Sequence, residues 1–502
     1  MSRTDRLNSL LALAAERART NRRRVLVSVV ERVLPEDPLN ALEGAALAAV
    51  ADCATAKLIA TRMYWTRPDD EFALAGLGAA VTLTPEGADR FATIDREWST
   101  LIDDALIDDP SGGTPGAGPA LMGGFAFDPE GPRTGLWRDF PAAHLIIPRL
   151  QIVLTGPDCW LTTTVLVRAD GQQDVDPTVL ARLRDAILGG DHGDEPTASV
   201  NADDTITCTD TRDASDWRET VRDAVTAISA GRLEKVVLAR EVRASAAHDF
   251  DVMTALRQLR SEHPSCYVFG FWHGDSAFVG ATPERLVRVD GRNVQASSLA
   301  GSAPRGETQQ EDTELAGQLL ASTKNRTEHE IVRQALRTGL ERLCDDVTAA
   351  EEPALLSLPH VHHLHTAVHA RLRAGHSLLQ LVAQLHPTPA VGGAPRNAAL
   401  RFIREHEKMD RGWYAAPIGW LQRDCGEFAV ALRSALVIGA DAVLFAGCGI
   451  VADSDPDQEY AESLLKLRPM ETALAVALAP EEAIGNVMSD NDLPTAYSGG
   501  AR

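Results

Sequence analysis

The sequence of 502 residues predicts an α+β fold with large antiparallel sheets. Strand-like runs come in tandem pairs joined by short turns, which is typical of antiparallel hairpins. Helical segments interrupt these pairs instead of following every strand, and this disfavours a parallel, doubly wound sheet. The hydrophobic content of 44% is enough for a substantial core, and the length allows one large domain or two to three smaller ones.

The first part of the chain reads as helices followed by hairpins. Residues 1 to about 60 are predicted to be largely helical. The first helical segment is amphipathic and ends in a basic run. Strands are predicted at 58–83 and 145–167, each containing a turn with proline and aspartate. The polar stretch 189–204 is weakly periodic and contains glycine and proline, so it is predicted to be an internal linker.

The second part of the chain alternates helices with further hairpins. A meander is predicted from Cys266 to Ser298, and a disordered tail after about 480. The other predicted elements are helices at 216–231, 250–261 and 310–344, and strands at 235–244 and 416–451. The residue pattern of 64–83 resembles that of 271–289. This suggests that the chain has two similar halves, with the polar residues that carry chemistry only in the second half.

The net charge and the cysteines limit the possible partners. A formal net charge of −22 argues against nucleic acid or an anionic membrane as the main partner, and any anionic substrate would need a local cation. Seven dispersed cysteines without a C-x-x-C pair indicate reduced thiols. Because no signal peptide or transmembrane segment is visible, we expect a cytoplasmic protein.

The stretch VADSDPDQEYAESLLKLRPM, residues 451–470, predicts a helix capped by Asp455 and started by Pro456. Glu459, Glu462 and Lys466 form one stripe on it. An acid four residues before a lysine is usual on an exposed face, and this reading stays open. The apolar, glycine-containing strand at 442–451 favours the alternative that the stripe faces a ligand.

Two further residues could transfer protons. Lys235 opens an apolar strand, where it could extend to the solvent rim or, if desolvated, act as a general base. Glu284 could be a surface acid at a strand end, or a proton donor with a raised pKa in an apolar cleft. A base and an acid on neighbouring strands would suit the movement of a hydroxyl group within one molecule.

Other polar residues could hold a cation or an anion. Glu328, with Glu459 and Glu462, could form an all-oxygen site that suits Mg²⁺. Arg433 lies among apolar strand residues and needs an anionic partner, either Glu427 or a substrate carboxylate. The four histidines within residues 360–365 lack the context of a zinc site, so we expect one of them to contact substrate.

The ordered motifs between residues 210 and 475 resemble the chorismate-utilising enzymes. This family includes isochorismate synthase, salicylate synthase, anthranilate synthase component I and aminodeoxychorismate synthase. Residues 1–200 resemble the amino-terminal half of the same fold more loosely, and no catalytic residue is expected there. The motifs are EKVVLAR (234–240), GATPERL (280–286), STKNRTEHEIV (322–332), LHPTPAVGG (385–393), GEFAVALRSA (426–435) and AGCGIVADSDPDQEYAESLLKL (446–467).

The resemblance implies a single large domain with two big, mainly antiparallel sheets, and it implies roles for individual residues. Lys235 resembles the base that activates water for attack at C2 of chorismate, and Glu284 the acid that protonates the departing C4 hydroxyl. Glu328 and Glu462 resemble Mg²⁺ ligands, with Glu459 assisting through water. The implied substrate-binding residues are Gly301, Ser302, His363, Ala390, Tyr414, Arg433, Gly447 and Lys466.

Two positions indicate which reaction the resemblance implies. Ammonia-using members generally lack a lysine at the position of Lys235, so we expect water as nucleophile and no glutaminase subunit. Ala390 resembles the isochorismate synthase pattern, since salicylate synthases typically carry threonine there. We therefore expect Mg²⁺-dependent, reversible conversion of chorismate to isochorismate, for menaquinone or for siderophores and salicylate. The alternative functions are a salicylate synthase and a non-catalytic chorismate-binding protein. For the oligomeric state, we expect either a monomer or a homodimer.

Overall fold

The computed structural model describes residues 3–51, 53–189 and 205–478. Within these ranges the helices are α1 (Arg3–Asn21), α2 (Pro38–Ala51), α3 (Cys53–Leu58), α4 (Arg90–Asp103), α5 (Pro177–Leu188), α6 (Ala214–Ser229), α7 (Val252–Glu262), α8 (Gln309–Ala321), α9 (Thr323–Glu341), α10 (Leu378–Leu385), α11 (Arg396–His406) and α12 (Pro456–Val476). None of them is both long enough and apolar enough to cross a bilayer.

The strands outnumber the helices. In the first half they are β1 (Val25–Val33), β2 (Thr61–Arg67), β3 (Phe72–Leu83), β4 (Leu106–Asp108), β5 (Leu121–Phe125), β6 (Ala143–Thr155) and β7 (Asp158–Val167). In the second half they are β8 (Thr207–Asp210), β9 (Lys235–Ser245), β10 (Tyr267–His273), β11 (Ser276–Thr282), β12 (Arg285–Asp290), β13 (Asn293–Pro304), β14 (Cys344–Ala349), β15 (Ala354–Ser357), β16 (Val361–Leu372), β17 (Gly393–Ala394), β18 (Pro417–Leu421), β19 (Cys425–Val430), β20 (Ser434–Ile438) and β21 (Asp441–Ile450).

Antiparallel pairing dominates, which confirms the predicted α+β class. Hydrogen bonds connect the strands in the order β9-β21-β20-β11-β10-β2-β3-β6-β5-β18-β19-β12-β13-β16. The parallel pair formed by β1 and β4 is the exception among these described strands. The hairpins β2–β3 and β10–β11, which carry the two similar sequence segments, lie side by side through the β2–β10 pairing.

Hydrogen bonds join 21 strands into one network, in which the predicted antiparallel sheets are connected to each other. The link is β6, which has 13 residues. It pairs with β3 along most of its length, with β5 at its first residues and with β7 at its last residues. A strand of this length can belong to two layers, and a register shift in β3 opposite Pro148 helps it to change direction.

Two predicted helical regions are not continuous helices in the structure. The first 60 residues include the buried strand β1, whose apolar run VLVSVV cannot be distinguished from a buried helix by periodicity. The predicted helix 310–344 is broken at Ser322, which has an extended backbone and whose hydroxyl accepts a hydrogen bond from the Asn325 N–H at the start of α9. Residues 190–204 of the predicted linker and the predicted tail after 480 lie outside the described residues.

The main hydrophobic core lies between layers drawn from both halves of the chain. Phe125 contacts Phe428 with 6.2 Å between ring centroids, and Phe140 contacts Trp413 at 5.2 Å. Residues of β9, β21 and α9 pack into the same core, including Leu238, Phe445 and Val332. The elements that carry the predicted site are therefore held by packing on their apolar sides.

Candidate active site

One cavity of about 870 Å³, measured with its open mouth, collects almost all of the predicted site residues. Strands β9, β13 and β21 and helices α9 and α12 supply most of its wall, and every lining residue falls between 237 and 466. The polar lining residues are Glu284, Ser302, Lys324, Asn325, Glu328, His363, Tyr414, Arg433, Glu459, Glu462 and Lys466. The predicted residues Gly301, Ala390 and Gly447 also line it.

Lys235 lies directly behind this wall, at the first position of β9. Its side chain is 1% exposed, and its Nζ atom is 2.8 Å from Oε1 of Glu328. Gly449 on the neighbouring strand leaves the space for this pair, since a Cβ atom there would lie 2.5 Å from Oε1 of Glu328 and 2.8 Å from Cε of Lys235. The lysine therefore points into the protein and not to the solvent rim.

Glu284 follows β11 and is 3% exposed. Burial raises the pKa of its carboxyl group to about 8, against the opposing effect of the positive charges of Lys235 and Lys466. Because the charged form is disfavoured, this group carries a proton at neutral pH and can donate it. The electrostatic effect of both lysines also indicates that the acid and the amines face the same space.

The stripe on α12 faces the cavity. Oε1 of Glu462 is 2.7 Å from Nζ of Lys466, which also donates a hydrogen bond of 3.0 Å to the carbonyl oxygen of Gly447. Burial, and then the charge of Glu462, raise the pKa of Glu459. Burial lowers the pKa of Lys466, but the adjacent Glu462 carboxylate outweighs burial and the net shift is upward. The exposed-face reading of this stripe is therefore wrong.

On its outer side, helix α12 is anchored by the Tyr460 ring, which contacts the side chains of two arginines. The Cζ atoms of Arg218 and Arg240 each lie 4.4 Å from the centroid of the Tyr460 ring. The Tyr460 hydroxyl donates a hydrogen bond of 2.8 Å to Asp210. Cation–π contacts of this kind stabilise the rotation of the helix that turns Glu459 inward.

The acids of the cavity could hold a hard cation. Among the described residues, ligand atoms of Cys448, Glu459 and Glu462 lie within 4.8 Å of one another. Burial raises the pKa of the Cys448 thiol well above its ordinary value, so the uncharged thiol is a poor ligand for Mg²⁺, which prefers oxygen. Glu328 lines the same cavity but is paired with Lys235, so the predicted set of three carboxylates is only partly gathered here.

The opposite wall offers groups for an anion. Nη2 of Arg433 donates a hydrogen bond of 3.0 Å to Nε2 of His363, whose Nδ1 is 3.0 Å from the Ser302 hydroxyl. Because a guanidinium only donates, Nε2 is the acceptor and Nδ1 carries the hydrogen. Burial, and then the charge of Arg433, lower the pKa of His363 well below its ordinary value, so the imidazole is neutral.

Arg433 has no carboxylate partner among the residues that the structure describes. It is 7% exposed, and its backbone has a φ of 47°, which is uncommon outside glycine. The predicted structural partner Glu427 binds Arg285 instead, at 2.7 Å. A buried cation that faces a cavity without an anion is arranged for an anionic ligand.

The remaining wall is apolar or aromatic. Tyr414 stacks on Phe445 with ring centroids 5.3 Å apart, and its hydroxyl would lie 3.0 Å from a Cβ atom at Gly447. Burial raises the pKa of the Tyr414 phenol, so it stays protonated. Leu299, Val391 and Leu432 complete a surface that suits an unsaturated carbocyclic ring.

Sequence reasoning missed Lys324, which lines the cavity and lies with its Nζ 3.1 Å from Oε1 of Glu459. Its spacing of four residues from Glu328 on α9 was the available signal. Among the four histidines, strand alternation turns His363 into the cavity. His362 points away from it, with Nε2 2.9 Å from Asp312.

The chain is similar to known proteins over most of its length. The family model described as "Chorismate binding enzyme" matches residues 12–475. The salicylate biosynthesis isochorismate synthase of Pseudomonas aeruginosa is 40% identical over 422 residues, which cover 82% of this chain and 84% of that protein. The isochorismate synthase MenF of Bacillus subtilis is 34% identical over 481 residues, 94% of this chain and 98% of its own.

A solved structure gives the same picture at the level of the fold. The menaquinone-specific isochorismate synthase MenF of Escherichia coli superimposes with a TM-score of 0.72 at 24% identity, covering 93% of this chain and 99% of that one. The match of the family model covers most of the chain, and the two sequence relatives align over most of their own lengths. The chain therefore belongs to the family of chorismate binding enzymes.

Proposed function

We propose that this protein is an isochorismate synthase. In this reaction water forms a new C–O bond at C2 of chorismate, the ring double bonds shift, and the C4 hydroxyl leaves as water. The observation that carries the proposal is that the buried, protonated Glu284 lines the cavity while the buried amine of Lys235 lies directly behind its wall. The names of two sequence relatives support the same reaction.

Each proton has a proposed donor and acceptor. Once the amine of Lys235 has lost its proton, it accepts a proton from the attacking water, and Glu284 gives a proton to the departing hydroxyl. Reversal exchanges these roles, because the leaving group in one direction is the nucleophile in the other. The apolar wall around Leu299 and Val391 excludes bulk water from the ring.

The charges of a dicarboxylate substrate also need partners in a protein of net charge −22. Arg433 supplies one positive charge, and Lys466 with the backbone of Gly447 supplies another. Glu462 and Glu328, with Glu459 assisting through water, would hold Mg²⁺. When bound, that ion would neutralise substrate carboxylate charge in the cleft. Oxygen donors from two helices at one cavity suit this ion.

The cellular setting is also part of the proposal. Water activation by Lys235 makes a glutaminase subunit unnecessary. The thiols of six cysteines are free, which supports a reducing compartment such as the cytoplasm; they are Cys159, Cys208, Cys266, Cys344, Cys425 and Cys448. The two sequence relatives are named for salicylate biosynthesis and as MenF, so isochorismate is the shared product that we propose.

The test is incubation of the purified chain with chorismate, with and without Mg²⁺, followed by chromatography of the products. We expect isochorismate to appear only with Mg²⁺, at equilibrium with chorismate. Accumulation of fluorescent salicylate would instead indicate a salicylate synthase, and binding without turnover would indicate a non-catalytic protein. Lys235→Ala should lower kcat at least about 100-fold, and normal turnover of this variant would refute the assignment of the base.

A further inference from the structure

Lysine is rare in this protein and concentrated at the cavity. The chain contains five lysines and 44 arginines. Three of the five lysines form ion pairs with the carboxylates of the proposed metal site. These pairs are Lys235 with Glu328 at 2.8 Å, Lys324 with Glu459 at 3.1 Å, and Lys466 with Glu462 at 2.7 Å.

The three ion pairs differ in how easily the lysine ammonium group can move away from its partner carboxylate. The side chain of Lys235 is 1% exposed, and the proposed reaction uses it. Lys466 is held a second time by the carbonyl oxygen of Gly447. Lys324 is 31% exposed while its partner Glu459 is 4% exposed, so its flexible stem can move the charge into water without passing through the core.

The position of Lys324 in its own helix does not explain its presence. It lies in the first turn of α9, which contains no acidic residue. A cation there is disfavoured by the helix dipole. Burial lowers the pKa of Lys324, but the charges of Glu459, Glu328 and Glu462 together raise it. The ammonium therefore interacts with all three carboxylates to which we assign the cation.

We propose that Lys324 is a placeholder for the divalent cation, occupying Glu459 until the ion binds and so weakening metal affinity. The proposal rests on the magnesium site of the proposed function and assigns Lys324 a positioning role, not a catalytic one. The ammonium holds the buried Glu459 carboxylate toward the cavity while the ion is absent. The same ammonium must move away from Glu459 when the ion arrives, because two cations at one carboxylate repel each other.

The test measures metal affinity and not turnover. The full chain is freed of metal and titrated with Mn²⁺ while electron paramagnetic resonance counts the free ion, and Mg²⁺ is then added as competitor. We expect Lys324→Met to bind Mn²⁺ and Mg²⁺ about tenfold more tightly than the parent protein, and Lys324→Gln to behave alike. Lys324→Arg, which keeps the charge, should stay within about threefold of the parent.

The matched control is Lys57→Met, which removes a positive charge from an exposed position on α3. It should leave both affinities unchanged, and a gain equal to that of Lys324→Met would trace the effect to net charge and overturn the proposal. Weaker or unchanged metal binding by Lys324→Met and Lys324→Gln would also overturn the proposal, because a purely structural role of Lys324 predicts that its removal lowers metal affinity. Absence of Mn²⁺ binding in every variant would overturn the placeholder and the metal site together.

Turnover of the parent protein separates the two proposals. If the parent converts chorismate but Lys324→Met does not gain metal affinity, the placeholder role is wrong and the proposed reaction stands. If the parent does not convert chorismate although Lys324→Met gains affinity, the reaction is wrong and the competition between lysine and metal stands.

Discussion

Replacing Glu284 by glutamine should remove a pH dependence that this one buried acid imposes on stability. The pKa of its carboxyl group is about 8 in the folded protein, against an ordinary value of 4.5. Between these values the unfolded chain has lost the proton while the folded protein keeps it. Stability therefore falls as the pH rises through this window and levels off above the folded pKa.

The size of the effect follows from the shift. With about 1.36 kcal/mol for each pKa unit, Glu284 should remove roughly 3 to 4 kcal/mol of unfolding free energy between about pH 5 and about pH 8. Glutamine has nearly the same shape and stays neutral over this range. The variant should therefore gain that amount relative to the parent protein across the window, and be the more stable of the two at the alkaline end.

The assay is urea unfolding of the parent and Glu284→Gln at several pH values from about 5 to about 8. The quantity of interest is the difference in unfolding free energy between the two proteins, because other titrating groups contribute equally to both. Glu405→Gln on the exposed side of α11 is the control, and its difference from the parent should stay flat. A Glu284→Gln difference that is also flat within about 0.5 kcal/mol would refute the buried, protonated acid.

Four further outcomes are expected. With chorismate as substrate, kcat/KM should fall as the pH rises through about 8, since Glu284 then loses the proton it must donate; a flat profile to higher pH would contradict this role. Arg433→Met should raise KM for chorismate roughly 10- to 100-fold in steady-state assays, because a buried charge-assisted contact is lost. Glu462→Gln should abolish the Mg²⁺-dependent part of the activity while circular dichroism and the melting temperature stay near those of the parent. Gly449→Ala should lower kcat with little change in stability. Its Cβ atom would lie 2.5 Å from Oε1 of Glu328 and would displace this flexible side chain from Lys235. Wild-type turnover of the variant would argue against a need for the ion pair between Lys235 and Glu328.

Short-range patterns predicted the elements that carry the site. The Asp455 cap and Pro456 start of α12 are present as expected, and Asp455 accepts hydrogen bonds from the Asp457 and Gln458 amides. The strand predicted from Lys235 is β9, and the hairpins of 416–451 are β18 to β21. These signals depend on residues within one or two turns of each other, so a single sequence contains them completely.

Contacts between distant segments could not be obtained in this way. Lys324 and Glu459 are 135 positions apart, and their ion pair depends on how α9 and α12 pack at one cavity. The joining of two sheets through β6 likewise depends on β3, β5 and β7 meeting along one strand. The sequence leaves the partner of Arg433 open for the same reason, and the structure pairs Glu427 with Arg285.

The sequence by itself determined the α+β class, the main helices and strands of the second half, and which acids, lysines and arginine belong to the chorismate-utilising motifs. Only the tertiary structure decided that the stripe of Glu459, Glu462 and Lys466 faces inward, and that Glu284 is dry enough to keep its proton at neutral pH. The physical reason is that charge and spacing are written along the chain, whereas desolvation and pairing depend on what other segments place around each group.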